Sequence, residues 1–428
     1  MNLNARRVVI TGMGINTPLG DDLDSFYNNL IAGKSAITRW KFLNNPDVYS
    51  KVGGDISDYD HKGKVAGLRD KIDSAMHKRL RTLSKKAPFS TKISLTVATD
   101  AWIDAGLSLD GDSTRRGTIV GGHNLNERYF AENYVTFLDE PDYIDSMAAL
   151  SMLDTDHAGS VSELTFSQGA TYTMGGACAS ANIALRSGVD EIRHHDHDVM
   201  TVVGAVLDFS QMGPHAMAMM GAIAIESFND EPERASRPYD TRREGFVPSH
   251  GAACLVLEEL EHAKARGAKI YGEVLGVTST GDGSHLPSPS PEGQARTIAR
   301  LLKSCGVAPE QVDFVCAHAT STPQGDLSEI AALKTAFGKH AYKLKINAPK
   351  SMLGHTCWSA PAVEMVAGLM QMKHGRLHPS INVEEMDPLI DLDVCSDGPV
   401  NHQSKIMLKN SFGFGGLNCC ALVRAYEG

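Results

Sequence analysis

The nine residues Thr173-Met174-Gly175-Gly176-Ala177-Cys178-Ala179-Ser180-Ala181 constrain this chain more than any other stretch. The run ahead of the cysteine is small and glycine-bearing, whereas Ala181, Ala184, Leu185 and Ile192 after it recur at helical spacing. Such a pattern puts Cys178 at a strand-to-helix turn, with the helix N-terminus directed at its sulfur. The positive end of a helix dipole lowers a thiol pKa and favours the reactive thiolate. Most cysteines are small buried apolar groups, so Cys178 becomes a candidate nucleophile only in company.

Two downstream segments supply that company. Val312, Phe314 and Cys316 alternate as in a strand, and His318 falls where the strand gives way to the polar loop Ala319 to Asp326. Asp326 and Glu329 read as a capping box opening a helix from Leu327 to Phe337. Farther on, Asn347-Ala348-Pro349-Lys350-Ser351-Met352-Leu353-Gly354-His355 precedes an apolar helix, Ala360 to Met372, that carries Glu364. A histidine alone is more often a satisfied structural group than a catalyst. A cysteine with two histidines on separate loops fits thiol chemistry in general.

Strands and helices alternate along the 428 residues, which points to a layered α/β architecture. No apolar segment is long enough to span a membrane and no signal peptide precedes the first strand, so the expected location is cytoplasmic. Eight cysteines without a CxxC pair argue against a disulfide framework or a zinc site. His194-His195-Asp196-His197-Asp198 falls where the nucleophile helix should end, which suits its charge better than metal binding does. Gly12-Met13-Gly14 follows a strand, but Thr17 stands where a dinucleotide fingerprint needs its third glycine. Gly281 to Pro289, centred on His285, reads as a surface turn. A net charge of −10 argues against nucleic acid as a partner.

Four strings occur in order: Gly-Gly-Ala-Cys-Ala-Ser, His-Ala-Thr-Ser-Thr-Pro-Gln-Gly-Asp, Lys-Ser-Met-Leu-Gly-His and Asn410-Ser411-Phe412-Gly413-Phe414-Gly415-Gly416-Leu417-Asn418. Together they resemble the beta-ketoacyl-acyl carrier protein synthases, nearest to the type II synthase of bacterial fatty acid synthesis. The likeness runs from Val8–Gly14 through Arg237-Pro238-Tyr239-Asp240 and Leu255–Ala263 to the C-terminal glycine-rich hairpin. It implies a thiolase-like fold, two βαβαβαββ halves in a five-layer αβαβα sandwich. Residues 1–260 would carry the nucleophile and residues 261–428 both histidines. No internal repeat is visible in the sequence itself.

The resemblance also assigns roles. Cys178 would take an acyl chain from an acyl carrier protein. His318 and His355 would hold the malonyl thioester oxygen during decarboxylation, with Lys350 and Glu364 as a buried ion pair ordering them. The backbone N–H groups of Cys178 and Phe414 would form the acyl oxyanion hole, Phe414 also gating the pocket. Thr320 and Thr322 match the hydroxyls that bind the phosphopantetheine arm, although ordinary loop hydroxyls are the alternative. No cofactor or metal of the chain's own is implied, because phosphopantetheine rides on the carrier. Family members are dimers: a homodimer is expected, with a heterodimer of related subunits the alternative. Carrier proteins are acidic, so the basic run Lys62 to Lys86 is the candidate docking surface, a solvated helical face being the competing reading.

The pattern departs from the fatty acid enzyme at several places. Ala319 replaces a glycine, and Thr356-Cys357-Trp358-Ser359-Ala360-Pro361 replaces a small glycine- and alanine-rich run. Gly204-Ala205-Val206-Leu207 lacks the family's acidic residue, and Phe246-Val247-Pro248-Ser249-His250-Gly251 departs from its Gly-Asp-Gly pattern. These differences suggest a specialised acyl substrate, such as a polyketide or polyene intermediate. Two other activities stay open on the same fold: malonyl-carrier decarboxylation without condensation, and a non-catalytic chain-length subunit.

Overall fold

The computed structural model describes residues 6–43, 45–283 and 288–428. Residues 1–5, 44 and 284–287, including His285 at the centre of the expected surface turn, lie outside the described residues.

Ten strands pair into one continuous ribbon. The first five are β1 (Val8–Asn16), β2 (Arg116–Gly121), β3 (Thr171–Met174), β4 (Val199–Gly204) and β5 (Ala252–Glu259). The others are β6 (Gly272–Gly281), β7 (Phe314–Cys316), β8 (Lys345–Asn347), β9 (Ile406–Gly413) and β10 (Leu417–Ala425). Their spatial order is β3-β2-β4-β5-β1 followed by β6-β10-β9-β7-β8. Numbered within its own set of five, each set reads 3-2-4-5-1 from its outer edge inward. The pairing senses match too. β2 runs parallel to β3 and β4, as β7 does to β8 and β9, and the remaining pairs in each set are antiparallel. A duplication invisible in the residues is thus plain in the strand order. The two sets join where Val8–Ile10 of β1 pairs antiparallel with Gly272–Val274 of β6.

Five helices complete the layers: α1 (Phe89–Ala105), α2 (Ser180–His194), α3 (Pro291–Cys305), α4 (Pro323–Phe337) and α5 (Ala360–His374). α1 covers β1 and β5 on one outside face; α3 covers β6 and β10 on the other, with α4 packed on α3. Between the sheets lie α2, against β2, β4 and β6, and α5, against β5 and β9. This is the five-layer order the resemblance implies. α5 is buried from Ala360 through Met372, as a helix between two sheets must be. Gly12 and Gly14 have a packing reason: a Cβ on either would strike the α1 backbone at Ala101 or Val97.

One helix start differs from the sequence expectation. α4 begins at Pro323, four residues before Leu327, with Thr322 as its cap accepting the Gly325 N–H at 3.1 Å. Proline at the first helical position is pre-set for the helix and has no N–H to leave orphaned. Asp326 and Glu329 therefore lie inside the helix, fully turned into the protein, and serve other backbone groups.

Candidate active site

Cys178 sits in a short 3-10 turn, Ala177–Ala179, between β3 and α2. Ala177 has φ +46°, a left-handed conformation that costs an L-residue energy and persists only where surroundings impose it. Here Ser180 imposes it: its hydroxyl accepts the Gly176 N–H at 2.9 Å and donates to the Ala177 carbonyl at 2.7 Å. The end of β9 presses against this turn. A Cβ on Gly413 would lie 3.0 Å from the Gly176 carbonyl oxygen and 3.1 Å from the Cys178 nitrogen. That close approach sets the backbone N–H groups of Phe414 and Cys178 where both favour an anionic sulfur.

The thiol is not the thiolate that a helix terminus alone would favour. Burial pushes it up to about 11, while the charge of Lys350 and the two backbone N–H groups pull the other way. With the side chain 6% exposed, desolvation of an anion outweighs those attractions.

The two histidines reach the same cavity from the other half. His318 follows β7, and His355 follows the one-turn helix Lys350–Leu353. Their rings stand 5.5 Å apart and nearly perpendicular. Each tautomer is fixed by a partner that can only donate. The Cys357 backbone N–H points to His355 Nδ1 at 3.3 Å, and the Lys350 ammonium to His318 Nδ1 at 3.5 Å. The proton of each neutral ring therefore sits on Nε2. His355 Nε2 is buried and has no partner, a free donor at the cavity. Burial, reinforced by the charge of Lys350, holds both imidazoles well below their ordinary pKa. They are neutral donors at working pH.

Behind them lies an ionic network. Lys350 contacts Glu364 Oε1, and the other oxygen, Oε2, has Lys409 Nζ at 2.7 Å, an ion contact without hydrogen-bond alignment. Burial works against a charged Lys409, yet Glu364 holds its pKa above the ordinary lysine value. Glu329 accepts the backbone N–H groups of His318 and Ala319, at 2.9 and 2.8 Å, and the Asn410 side-chain amide at 2.8 Å. Lys409 escaped the sequence reading. The available signal was a lysine interrupting the apolar strand Ile406-Met407-Leu408 directly before the Asn410 motif.

A cavity of about 380 Å³ is lined by Cys178, His318, His355, Phe414, Thr320 and Thr322. Lys350 and Glu364 stand behind the histidines and do not line it. Thr320 and Thr322 hydroxyls are 3.1 Å apart, and Thr322, which lines the cavity, also caps α4. Phe414 lies at the hairpin joining β9 to β10, its ring 6.4 Å from that of Phe246, which packs edge-on against His355. On the far side of the nucleophile, the turn Cys357–Ser359 packs on Ala177–Ala179. There the Trp358 ring stacks on His123 at 4.2 Å. Among the described residues, no group of three or more His, Cys, Asp and Glu side chains is placed to hold a metal.

Residues 5–263 match the family described as "Beta-ketoacyl synthase, N-terminal domain", and residues 271–384 match "Beta-ketoacyl synthase, C-terminal domain". The chain belongs to the beta-ketoacyl synthase family. This synthase is 34% identical to 3-oxoacyl-[acyl-carrier-protein] synthase 2 of Coxiella burnetii, over 97% of this chain and 98% of that protein. It is 32% identical to the polyketide biosynthesis malonyl-ACP decarboxylase PksF of Bacillus subtilis, over 99% of this chain and 98% of that one. Among solved structures it superposes with TM-score 0.85, at 28% identity, on AntDE:AntF, a type II PKS acyl-carrier protein in complex with its ketosynthase bound to the hexaketide. That match covers 99% of this chain and 100% of the other. The fold is the thiolase-like fold of the ketosynthases, and the chain is an acyltransferase-type enzyme of this family.

Proposed function

We propose that this synthase performs decarboxylative Claisen condensation: an acyl group on Cys178 joins malonyl-acyl carrier protein to give a beta-ketoacyl carrier protein, in fatty acid or polyketide synthesis. The observation carrying this reading is one cavity onto which a nucleophilic sulfur and two neutral imidazoles converge, His355 offering a free Nε2–H. In acyl transfer, the sulfur attacks the carrier thioester and the negative oxygen falls to the N–H groups of Cys178 and Phe414. The pantetheine sulfur leaves with the thiol's proton. For malonyl carrier, the bond to the carboxylate breaks and carbon dioxide departs. The electron pair moves onto the thioester as an enolate, its oxygen held by the two Nε2–H groups. The enolate carbon then attacks the acyl-cysteine carbonyl, and the Cys178 sulfur leaves and is reprotonated. Lys350 and Glu364 order the histidines, and Thr320 and Thr322 receive the phosphopantetheine arm. The chain needs no cofactor or metal of its own for these steps.

A second reading is malonyl-carrier decarboxylation without condensation. The relative from Bacillus subtilis bears that activity in its name, and a thiol held near 11 is a sluggish acyl acceptor. Supplying malonyl carrier alone, then malonyl with acyl carrier, separates the two. A beta-ketoacyl product in the second arm supports condensation. Acetyl carrier alone in both arms overturns it. A chain-length subunit without catalysis is countered by the retained Cys178, His318 and His355; self-acylation by radiolabelled acyl carrier tests it.

The carrier's docking surface in this reading is a groove between the helices His61–Gly67 and Ser74–Ser84, lined by Lys62, Arg69, Lys78, Arg81, Lys85 and Lys92. Arg79 is occupied elsewhere, over the Phe166 ring and on the Glu163 carbonyl. A homodimer suits the open edge at β3 and the exposed Phe130, Tyr134, Phe137, Leu138 and Tyr143 of the nearby 127–153 segment. A heterodimer with a related subunit would use the same edge, and sedimentation of the chain alone distinguishes them. Among the described residues no helix is long and apolar enough to cross a membrane. The cytoplasm is the compartment this reading implies. The two halves, 1–260 and 261–428, divide the labour between nucleophile and histidines.

A further inference from the structure

Two carboxylates, Glu364 and Glu329, are buried in the network behind the histidines, each 2% exposed. Lys350 alone would leave one negative charge uncompensated beside the oxygen on which the enolate's charge develops. Such an excess would oppose the reaction that the site performs. We propose that Lys409 is a positioning residue that closes this balance: its ammonium takes the second oxygen of Glu364, making a neutral cluster of two lysines and two carboxylates against the histidines.

Its placement follows from strand alternation. Along β9, Met407 joins the core between the sheets while Leu408 joins the outer core, so Lys409 points inward toward α5 and Glu364. The ammonium also donates to the Asn410 carbonyl and lies 3.4 Å from Ser411 Oγ. Ser411 Oγ in turn accepts from the Asn182 side chain at 3.2 Å, one turn into α2 beyond Cys178. A continuous polar line thus runs from the nucleophile's helix through Lys409, Glu364 and Lys350 to His318. Other titratable groups nearby do not substitute for it. The Cys316 thiol on β7 is pushed up to about 12 by burial and is neutral, and Asp326 on α4 faces Arg243 at 3.6 Å.

The inference deepens the proposed reaction, so its test reads imidazole protonation directly, without turnover. His318 and His355 are followed by NMR pH titration of ¹³C-histidine-labelled full chain, assigned by single substitutions. Removing a cation should stabilise imidazolium, and removing the anion should do the reverse. Lys409→Met is expected to raise both midpoints by about one unit. Glu364→Gln should leave them unprotonated to still lower pH, and the double variant should return near the parent. Unchanged midpoints in Lys409→Met overturn the proposal. If that variant does not fold by circular dichroism, a double variant that folds with midpoints far from the parent overturns it instead. A parent that titrates as described yet releases no carbon dioxide from malonyl carrier sinks the reaction, not the role of Lys409.

Discussion

Alkylation of Cys178 by iodoacetamide tests the electrostatics of the nucleophile. Only the thiolate reacts, and burial places this thiol at about 11 against an ordinary 9.0. At pH 7.5 the thiolate fraction is then roughly one in 3,000, about 100-fold below that of an unperturbed thiol. A more basic thiolate is intrinsically more nucleophilic; with a Brønsted slope of about 0.4–0.5, two units return roughly tenfold. The net expectation is alkylation about tenfold slower than for a free cysteine at pH 7.5, before any steric obstruction. The slope is independent of obstruction. Because the pKa is raised, the logarithm of the rate should climb one unit per pH unit from 6.5 to 9.5 without levelling. Lys350 is the strongest influence pulling the thiol down, so Lys350→Met should keep that slope and slow the rate further. A plateau below pH 9 in the parent chain would refute the reasoning, because it would mean that the thiolate already resides in the closed site.

Other outcomes follow from the same geometry. Replacing His355 by Ala removes a buried, unshared Nε2–H donor and should cut malonyl-carrier decarboxylation by ~10²–10³-fold, read as carbon dioxide release. Because both imidazoles are held well below 6.5, that activity in the parent should show no titration between pH 6 and 8. Trp358→Gly should empty the space beside the nucleophile's turn and shift preference, measured with a carrier panel, toward longer acyl groups; an unchanged profile removes Trp358 from chain selection. The double reversal Arg81→Glu/Lys85→Glu should raise KM for carrier-bound substrate with kcat little changed. No rise in KM would retire the groove as the docking surface.

Much of the site was legible because local chemistry dictates it. A small run followed by a helical pattern can hardly fold other than as the turn that presents Cys178, and His318 and His355 each close a strand or turn whose pattern is clear. The convergence of those segments was not a local property: it depends on α2 and α5 being sandwiched between sheets, which only the ordered motifs conveyed. Two expectations failed for the same reason. Acidic residues at 326 and 329 look like a capping box in one dimension, but Pro323 starts the helix earlier and turns both inward. The helix dipole argument for Cys178 omitted desolvation, which depends on packing by Gly413 and the Cys357–Ser359 turn. Lys409 went unnoticed because a lone lysine in a strand acquires meaning only once Glu364, far along the chain, is seen beside it.

If Phe414 gates the pocket as the family resemblance implies, its hairpin would serve as both door and electrode. Its ring neighbours that of Phe246 while its backbone amide favours the anionic form of the nucleophilic sulfur, and Gly415 and Gly416, at φ +82° and +71°, follow immediately. Any swing of that segment to admit a pantetheine arm withdraws the amide from the sulfur. Entry and stabilisation would then compete: a hairpin swung aside no longer offers its amide to the acyl oxyanion, and the donor returns only as the loop closes around the bound arm.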